Sequence, residues 1–348
     1  MAVDARSLEQ KPTNLRAGRK HMVSAAMSHG IWLIIAMICV AASLLNPDTF
    51  LTLANARNVL IQSAVLGVLV VAESLVLLAG HFDLSLESTM AFTAMLGAWL
   101  MGQIDPSSGW GLPPVVAVVV MLAVGGLIGA FNAFLVVKVR MNAFIATLGM
   151  LILFRGLTLA FTSGRSIYGL PNGFTWIGNT SIANVPIGAI VMMLVFLFAF
   201  LVLRFRVYGK KLYAVGGNES VAFAAGIRTS RVIAIAFIAA GVLSALAGWI
   251  LAGRLQASVA GMGSGVIFDV MAAAVIGGIS LKGGRGYILD AFGGVLLLGV
   301  IGNMLTLAAI SPFWIDAVRG VLILAAMTLD TFRDRVDALM QRSARVDA

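Results

Sequence analysis

Residues 191–203 read VMMLVFLFAFLVL, an unbroken apolar run with no charge and no alternation of polar and apolar side chains. A membrane-spanning barrel strand would alternate over about ten residues. A continuous run instead calls for a helix, which satisfies its own backbone hydrogen bonds where no water is available. Uncharged stretches recur at 30–47, 88–104, 106–137, 166–203, 232–253 and 291–315. Several exceed the roughly 20 residues that a helix needs to cross a bilayer. Across all 348 residues, 60% are hydrophobic and 11% charged, with a mean hydropathy of +1.00. A soluble domain carries about 25% charged residues. The chain is an integral membrane protein.

The pattern predicts an all-α, polytopic transmembrane bundle. Helices are expected near 30–46, 59–79, 88–104, 115–137, 142–162, 187–203, 232–252, 266–279, 288–309 and 314–330. Of the 24 basic residues, all but Arg57, Arg155, Arg165, Arg254 and Arg319 fall on one side of that map. Such a bias marks the cytoplasmic side and fits a bacterial inner membrane. It divides the chain into a cytoplasmic tail at 1–29, a transmembrane domain at 30–330 and a cytoplasmic tail at 331–348, with both termini inside. The first twenty residues have no apolar core of the kind a cleaved signal needs. The net charge of +9 is then a topology signal, and no nucleic-acid partner is expected.

Cys39 is the single cysteine, and His21, His29 and His81 are scattered, so neither a disulfide frame nor a metal-binding HExxH pattern is present. No spaced nucleophile and base suggests catalysis. The chain is expected to be no enzyme, with no catalytic residue, metal or cofactor of its own.

Several polar residues stand inside apolar sequence and need partners or a wet surface. Glu73, in VLVVAESLVLLAG, can hydrogen-bond a neighbouring helix, line a solute path or relay protons. A relay is disfavoured because no second intramembrane carboxylate clearly joins it. Asp83, in LLAGHFDLSLES, belongs to a DLS triplet with the form of a helix N-cap, in which an aspartate or serine oxygen can accept from helix N–H groups. Asn132 and Asn142 can bridge helices or line a pore. Arg155 and Arg319 can snorkel to the interface or pair with carboxylates such as Asp316. The segment 164–186, rich in glycine, aromatics and turn formers, reads as an outer loop, either a packed cap or a contact surface, with Trp176 at the interface.

Gly125 and Gly129 in VGGLIGAFNAFLV match GxxxG, and Gly241 with Gly248 marks another helix, so close helix packing is expected at both. The stretch VIGGISLKGGRGYILDAFGG, 275–294, looks at first like a phosphate cradle. It lacks GxxxxGK[ST] and lies between two apolar helices, so it reads as a sharply turned cytoplasmic connection anchored by Lys282 and Arg285.

Five segments together carry a resemblance: GHFDLSLES (80–88), AFIATLGMLILFRGLTLAFTSGRSI (143–167), YGKKLYAVGGNESVAFAAGIRTSR (208–231), VIGGISLKGGRG (275–286) and SPFWIDAVRGVLILAAMTLD (311–330). In this order, from about residue 45 to residue 332, the chain resembles permease subunits of bacterial ABC importers for ribose and related sugars. The resemblance implies a paired, multi-pass inner-membrane subunit, with a second permease copy, a periplasmic sugar-binding protein outside and ABC-type ATPase subunits inside. ATP would be used by that partner. Besides membrane lipid, these are the expected partners.

The same resemblance places Asn218, Glu219, Ala222 and Gly226 in the cytoplasmic loop that engages the ATPase. The residues suit a short helix there: Asn218 can cap it, Glu219 fits its positive end and Gly226 can terminate it. The chain departs from the family at GHFDLSLE, where a GGIDLSVG-like turn is common, and at GGISL, where GGTSL is frequent. His81, Phe82, Glu87 and Ile279 therefore weaken any inference of ribose itself. The alternative reading is an ion-coupled secondary transporter of a small polar solute.

Overall fold

The computed structural model describes residues 31–102 and 109–311, together with 314, 315, 317, 318, 320, 321, 324, 325 and 328. The tails expected at 1–29 and 331–348 lie outside the described residues, as do Asp316 and Arg319. The chain is helical almost throughout: α1 (Ile31–Leu45), α2 (Leu53–Leu78), α3 (Leu86–Leu100), α4 (Pro114–Ala133, extended by a π-helical turn at Phe134–Lys138), α5 (Ala143–Phe161), α6 (Asn172–Asn179), α7 (Ile187–Phe205), α8 (Val207–Gly217), α9 (Glu219–Ala224), α10 (Thr229–Leu255), α11 (Val266–Ile276) and α12 (Ile288–Leu307).

Six of these, α2, α4 with its extension, α5, α7, α10 and α12, are long and apolar enough to cross a membrane. The helix expected at 59–79 begins earlier, at Leu53, because Thr52 Oγ1 caps it by accepting from Asn55 N at 3.2 Å. The one expected at 232–252 likewise runs from Thr229 to Leu255, past the charged residues Arg231 and Arg254. By contrast α3 and α11, with 15 and 11 residues, are too short to cross alone.

The bundle is built around α10 and α2. The former packs on α4, α2, α6 and α3. In its apolar window α2 is 72% buried, whereas α5 is 22% buried and turns most of its surface outward. Small residues set the spacing. A side chain on Gly241 of α10 would collide with Gly125 O of α4, and one on Gly129 with Phe237 O. Farther along α10, Gly248 lies against Met90 O of α3. The GxxxG expectation is thus met by backbone against backbone.

Opposite ends of α10, about 40 Å apart for 27 residues, gather two separate sets of loops. At its end, Gly178 of α6 lies against Gly253 and Arg254. Strand β1 (Ile167–Tyr168) pairs antiparallel with β4 (Ala257–Ser258), and β2 (Ser181–Ile182) with β3 (Val185–Pro186). Trp249 Nε1 donates to Phe174 O at 2.8 Å, and Phe174 is fully buried. Segment 164–186 is therefore a packed cap over this end, with Trp176 half-exposed beside Trp249. At the start of α10 lie α8, α9, the end of α2 and the glycine-rich turn 277–287, joined by Gly284 N donating to Leu78 O at 3.2 Å and Tyr208 Oη to Val232 O at 3.2 Å.

Replacing Gly241 by Val should wedge α10 from α4 and lower the thermal unfolding midpoint of the purified chain in detergent. The loss expected of overpacking is about 1–3 kcal/mol. Gly149, with open space around it, is the control: Gly149→Ala should leave the midpoint unchanged or slightly raised.

Candidate functional site

The buried turn leading into α3 and the first turn of α11 hold backbone N–H groups that need acceptors. Side chains supply several of them. Asp83 N donates to Glu73 Oε1 at 3.4 Å, Leu84 N to Thr147 Oγ1 at 3.1 Å, and Ser85 N to Asp83 Oδ1 at 3.0 Å. In the first turn of α11, Ile267 N donates to Glu87 Oε2 at 3.2 Å. The other Glu87 oxygen pairs with Arg155 Nη2 at 3.1 Å, and Arg155 Nη1 donates to Met262 O at 3.2 Å. Arg155 lies about 18 Å along α5 from Ala143, well within the length of that helix.

The sequence-derived candidates separate into three groups. Glu73, Asp83 and Asn132 come together: Asn132 Nδ2 donates to Ser85 Oγ at 2.8 Å and approaches Asp83 Oδ2 at 3.3 Å. Asp83 is not the N-cap of α3; that position is Ser85, and Asp83 instead closes a turn on it, with Ser85 Oγ donating to Asp83 Oδ1 at 2.5 Å. Asn132 bridges helices, whereas Asn142 does neither of the things expected of it. Asn142 is exposed and caps α5, accepting from Phe144 N at 3.0 Å and Ile145 N at 3.4 Å, because the chain must restart a helix just after the turn at 139–141. Arg155 pairs, but with Glu87. A second buried carboxylate does stand beside Glu73, namely Asp83, contrary to the expectation of an isolated acid. Among the described residues, Glu73 Oε2 and Asn132 Oδ1 are buried without a protein partner.

Beside this junction a cavity of about 680 Å³ opens on the surface of the chain. Gln62, Arg254, Ser264 and Asp269 bring polar groups to it, with Met90 and half-exposed Phe268 as apolar walls. Glycines at 263 and 265 line it too, so backbone amides are within reach. Hydroxyl, amide, carboxylate and guanidinium residues thus line one open cavity among apolar walls. Sequence reasoning passed over Glu87 as a partner and Asp269 altogether. The signal for Asp269 was present: it is the one charge in the apolar VIFDVMAAAVI of α11.

At the opposite region, α9 is a six-residue helix. Asn218 Oδ1 accepts from Val221 N at 3.0 Å, Glu219 is in the first turn, and Gly226 follows with φ +79°. Ala222 is buried against the bundle, while Val221 and Phe223 are exposed at 63% and 71%, leaving two apolar side chains uncovered on the tip.

The glycine-rich turn is what seats this tip. Leu78–Gly80, Gly216–Gly217 and Gly283–Gly284 meet backbone to backbone; any side chain on Gly216 would strike Leu78 O, and one on Gly283 would strike Gly80. Gly283 also has φ +84°, so it turns the chain as well as admitting its neighbours. Tyr213 Oη donates to Gly286 O at 2.8 Å, and burial pushes its phenol up to about 12. Next to the junction, burial lowers the His81 pKa while the Glu219 carboxylate raises it. The end of α2, the turn before α12 and the α8–α9 hairpin thus form one rigid joint.

Residues 55–327 match the family model described as branched-chain amino acid transport system / permease component. Over 314 residues the chain is 37% identical to the ribose import permease protein RbsC of Bacillus subtilis (strain 168), covering 90% of this chain and 95% of that protein. It is 35% identical over 326 residues to RbsC of Escherichia coli (strain K12), covering 91% and 98% respectively. The D-allose transport system permease protein AlsC of Escherichia coli (strain K12) is 34% identical over 304 residues, covering 87% and 91%. No solved structure matches the chain.

The Glu87–Arg155 pair should behave as a coupled unit. Glu87→Gln leaves the guanidinium without its carboxylate and should destabilise the chain toward the lower end of about 3–5 kcal/mol, since the Arg155 side chain is 18% exposed. The double variant Glu87→Gln/Arg155→Gln should lose less than the sum of the two single losses in thermal unfolding. Strict additivity would show that the two side chains do not act together.

Proposed function

Since this chain belongs to the branched-chain amino acid transport system / permease component family, we propose that it carries a monosaccharide across the inner membrane as the membrane subunit of an ATP-binding cassette importer. It is a multi-pass inner-membrane protein, and its family comprises transport permease components. The observation that carries the reading is the high identity, over nearly the full length, to permeases named for ribose and allose import. The cavity beside α11 supports it, because its polar groups can replace water around a sugar hydroxyl without demanding a charged solute.

In this reading the face holding α8, α9 and the turn 277–287 is cytoplasmic, both termini lie on that side, and the capped end with α6 is periplasmic. The concentration of basic residues at the first face favours that orientation. A periplasmic sugar-binding protein meets the α6 cap. A second copy of the chain lies against the cavity's open side, so that the solute is enclosed by two subunits. Separate ATPase subunits bind and hydrolyse ATP.

Exposed Val221 and Phe223 give the ATPase an apolar grip, with Asn218, Glu219, Ala222 and Gly226 holding the helix that presents them. When the ATPase closes, α9 is displaced. Because Gly216 touches both Leu78 and Gly284, displacement of the hairpin is passed to the end of α2 and to the turn linking α11 with α12. Both α2 and α11 border the cavity or the interior helix starts, so their movement changes access to the solute. Glu73 is a positioning residue for the break between α2 and α3.

Two expectations test this. The chain alone in lipid vesicles should neither hydrolyse ATP nor concentrate sugar, and addition of its cognate ATPase and binding protein should restore ATP-dependent uptake. Ion-driven accumulation by the chain alone would instead establish a secondary transporter. Gly226→Val and Glu219→Lys should each reduce ATPase co-purification or coupled uptake severalfold at normal membrane abundance, the first by straining the left-handed C-cap and the second by placing positive charge at a helix N-terminus. Normal docking with normal uptake in both variants would remove α9 from the coupling role.

A further inference from the structure

Between α8 and the start of α10 lies a groove of about 390 Å³ in which Lys211, Arg228 and Arg231 converge around Val207, Val232 and Ile235. The three cations are exposed, and among the described residues none has a carboxylate partner. Tyr208 forms part of the wall and fixes α8 to α10 through its bond to Val232 O at 3.2 Å. The groove does not end in water. Arg231, Ile235 and Ile238 follow one another at helical three- and four-residue spacing, so they form a single stripe along α10, with Arg228 at its N-cap. Its first half is cationic; its second half is apolar, with Ile235 and Ile238 exposed at 50% and 37%.

We propose that this groove is a binding site for one anionic phospholipid of the leaflet on the α8–α9 side. The phosphate lies among Lys211, Arg228 and Arg231, and an acyl chain follows Ile235 and Ile238 down α10. The order of charge and then hydrocarbon along one helix matches the order of headgroup and chain across a leaflet. A water-soluble protein is complementary to the cations but does not reach the apolar half, which runs into a membrane span. Free phosphate satisfies the cations and leaves Ile235 and Ile238 unused. The lipid alone fits both halves. Its position beneath the hairpin that leads into α9 makes it a support for that hairpin at the membrane surface.

The test is native mass spectrometry of the delipidated full-length chain in mild detergent, titrated with dioleoylphosphatidylglycerol or dioleoylphosphatidylcholine. Phosphatidylglycerol should bind preferentially. The variant Lys211→Gln/Arg228→Gln/Arg231→Gln should weaken its first site by about fivefold per cation removed and leave phosphatidylcholine binding unchanged. Arg228→Lys/Arg231→Lys keeps the charge and should retain the preference. If the triple variant does not fold, Lys211→Gln alone on exposed α8 should still produce the single-step loss. Equal binding of the two lipids, or full phosphatidylglycerol binding by the Gln variants, would overturn the proposal. Displacement of the lipid by millimolar inorganic phosphate would assign the site to free phosphate. Loss of ATPase co-purification with lipid preference intact would assign the groove to the ATPase.

Discussion

The structure depends on one constraint: a backbone N–H inside a water-free bundle must have an acceptor. The turn leading into α3 and the first turn of α11 carry such groups, and side chains that seem out of place in apolar sequence answer them. Glu73, Thr147, Asp83 and Glu87 accept from Asp83, Leu84, Ser85 and Ile267. Glu87 is thereby held by the first turn of α11, where the positive end of the dipole favours it. Arg155 then balances Glu87, and its second bond to Met262 O holds the segment that leads into α11.

That arrangement buries polar groups between the helices with backbone N–H groups as their partners. The cavity with Gln62, Arg254, Ser264 and Asp269 borders the start of α11. Movement of α11 would alter both the cavity wall and the acceptors of its own first turn. The cavity wall and the bond to Glu87 therefore share a single short helix.

Close backbone approach carries that linkage to the surface. The contacts between Gly125 and Gly241 keep α4 and α10 together as a rigid frame, while Gly216, Gly283 and Gly284 join the α8–α9 hairpin to α2 and to the turn before α12. With no side chains between them, these backbones have little room to slide. The hairpin, the end of α2 and the turn before α12 are therefore joined through direct backbone contact.

The sequence by itself determined the class of this protein. Long uncharged runs such as VMMLVFLFAFLVL leave a helical membrane bundle as their stable solution, and the order of five motifs identified the permease family. It also determined the local form of α9, because Asn218, Glu219 and Gly226 are a cap, a first-turn acid and a terminator whose effects act within a few residues. The tertiary structure alone decided the partnerships over distance. Nothing in local chemistry tells Glu87 that Arg155, 68 positions away, is its partner, or that Asn142 caps its own helix while Asn132 reaches another. It likewise decided that the glycines of VIGGISLKGGRG serve as the other half of a joint made by Gly80 and Gly216. Close approach is a property of three segments at once, and a linear pattern records the small residue without recording what comes near it.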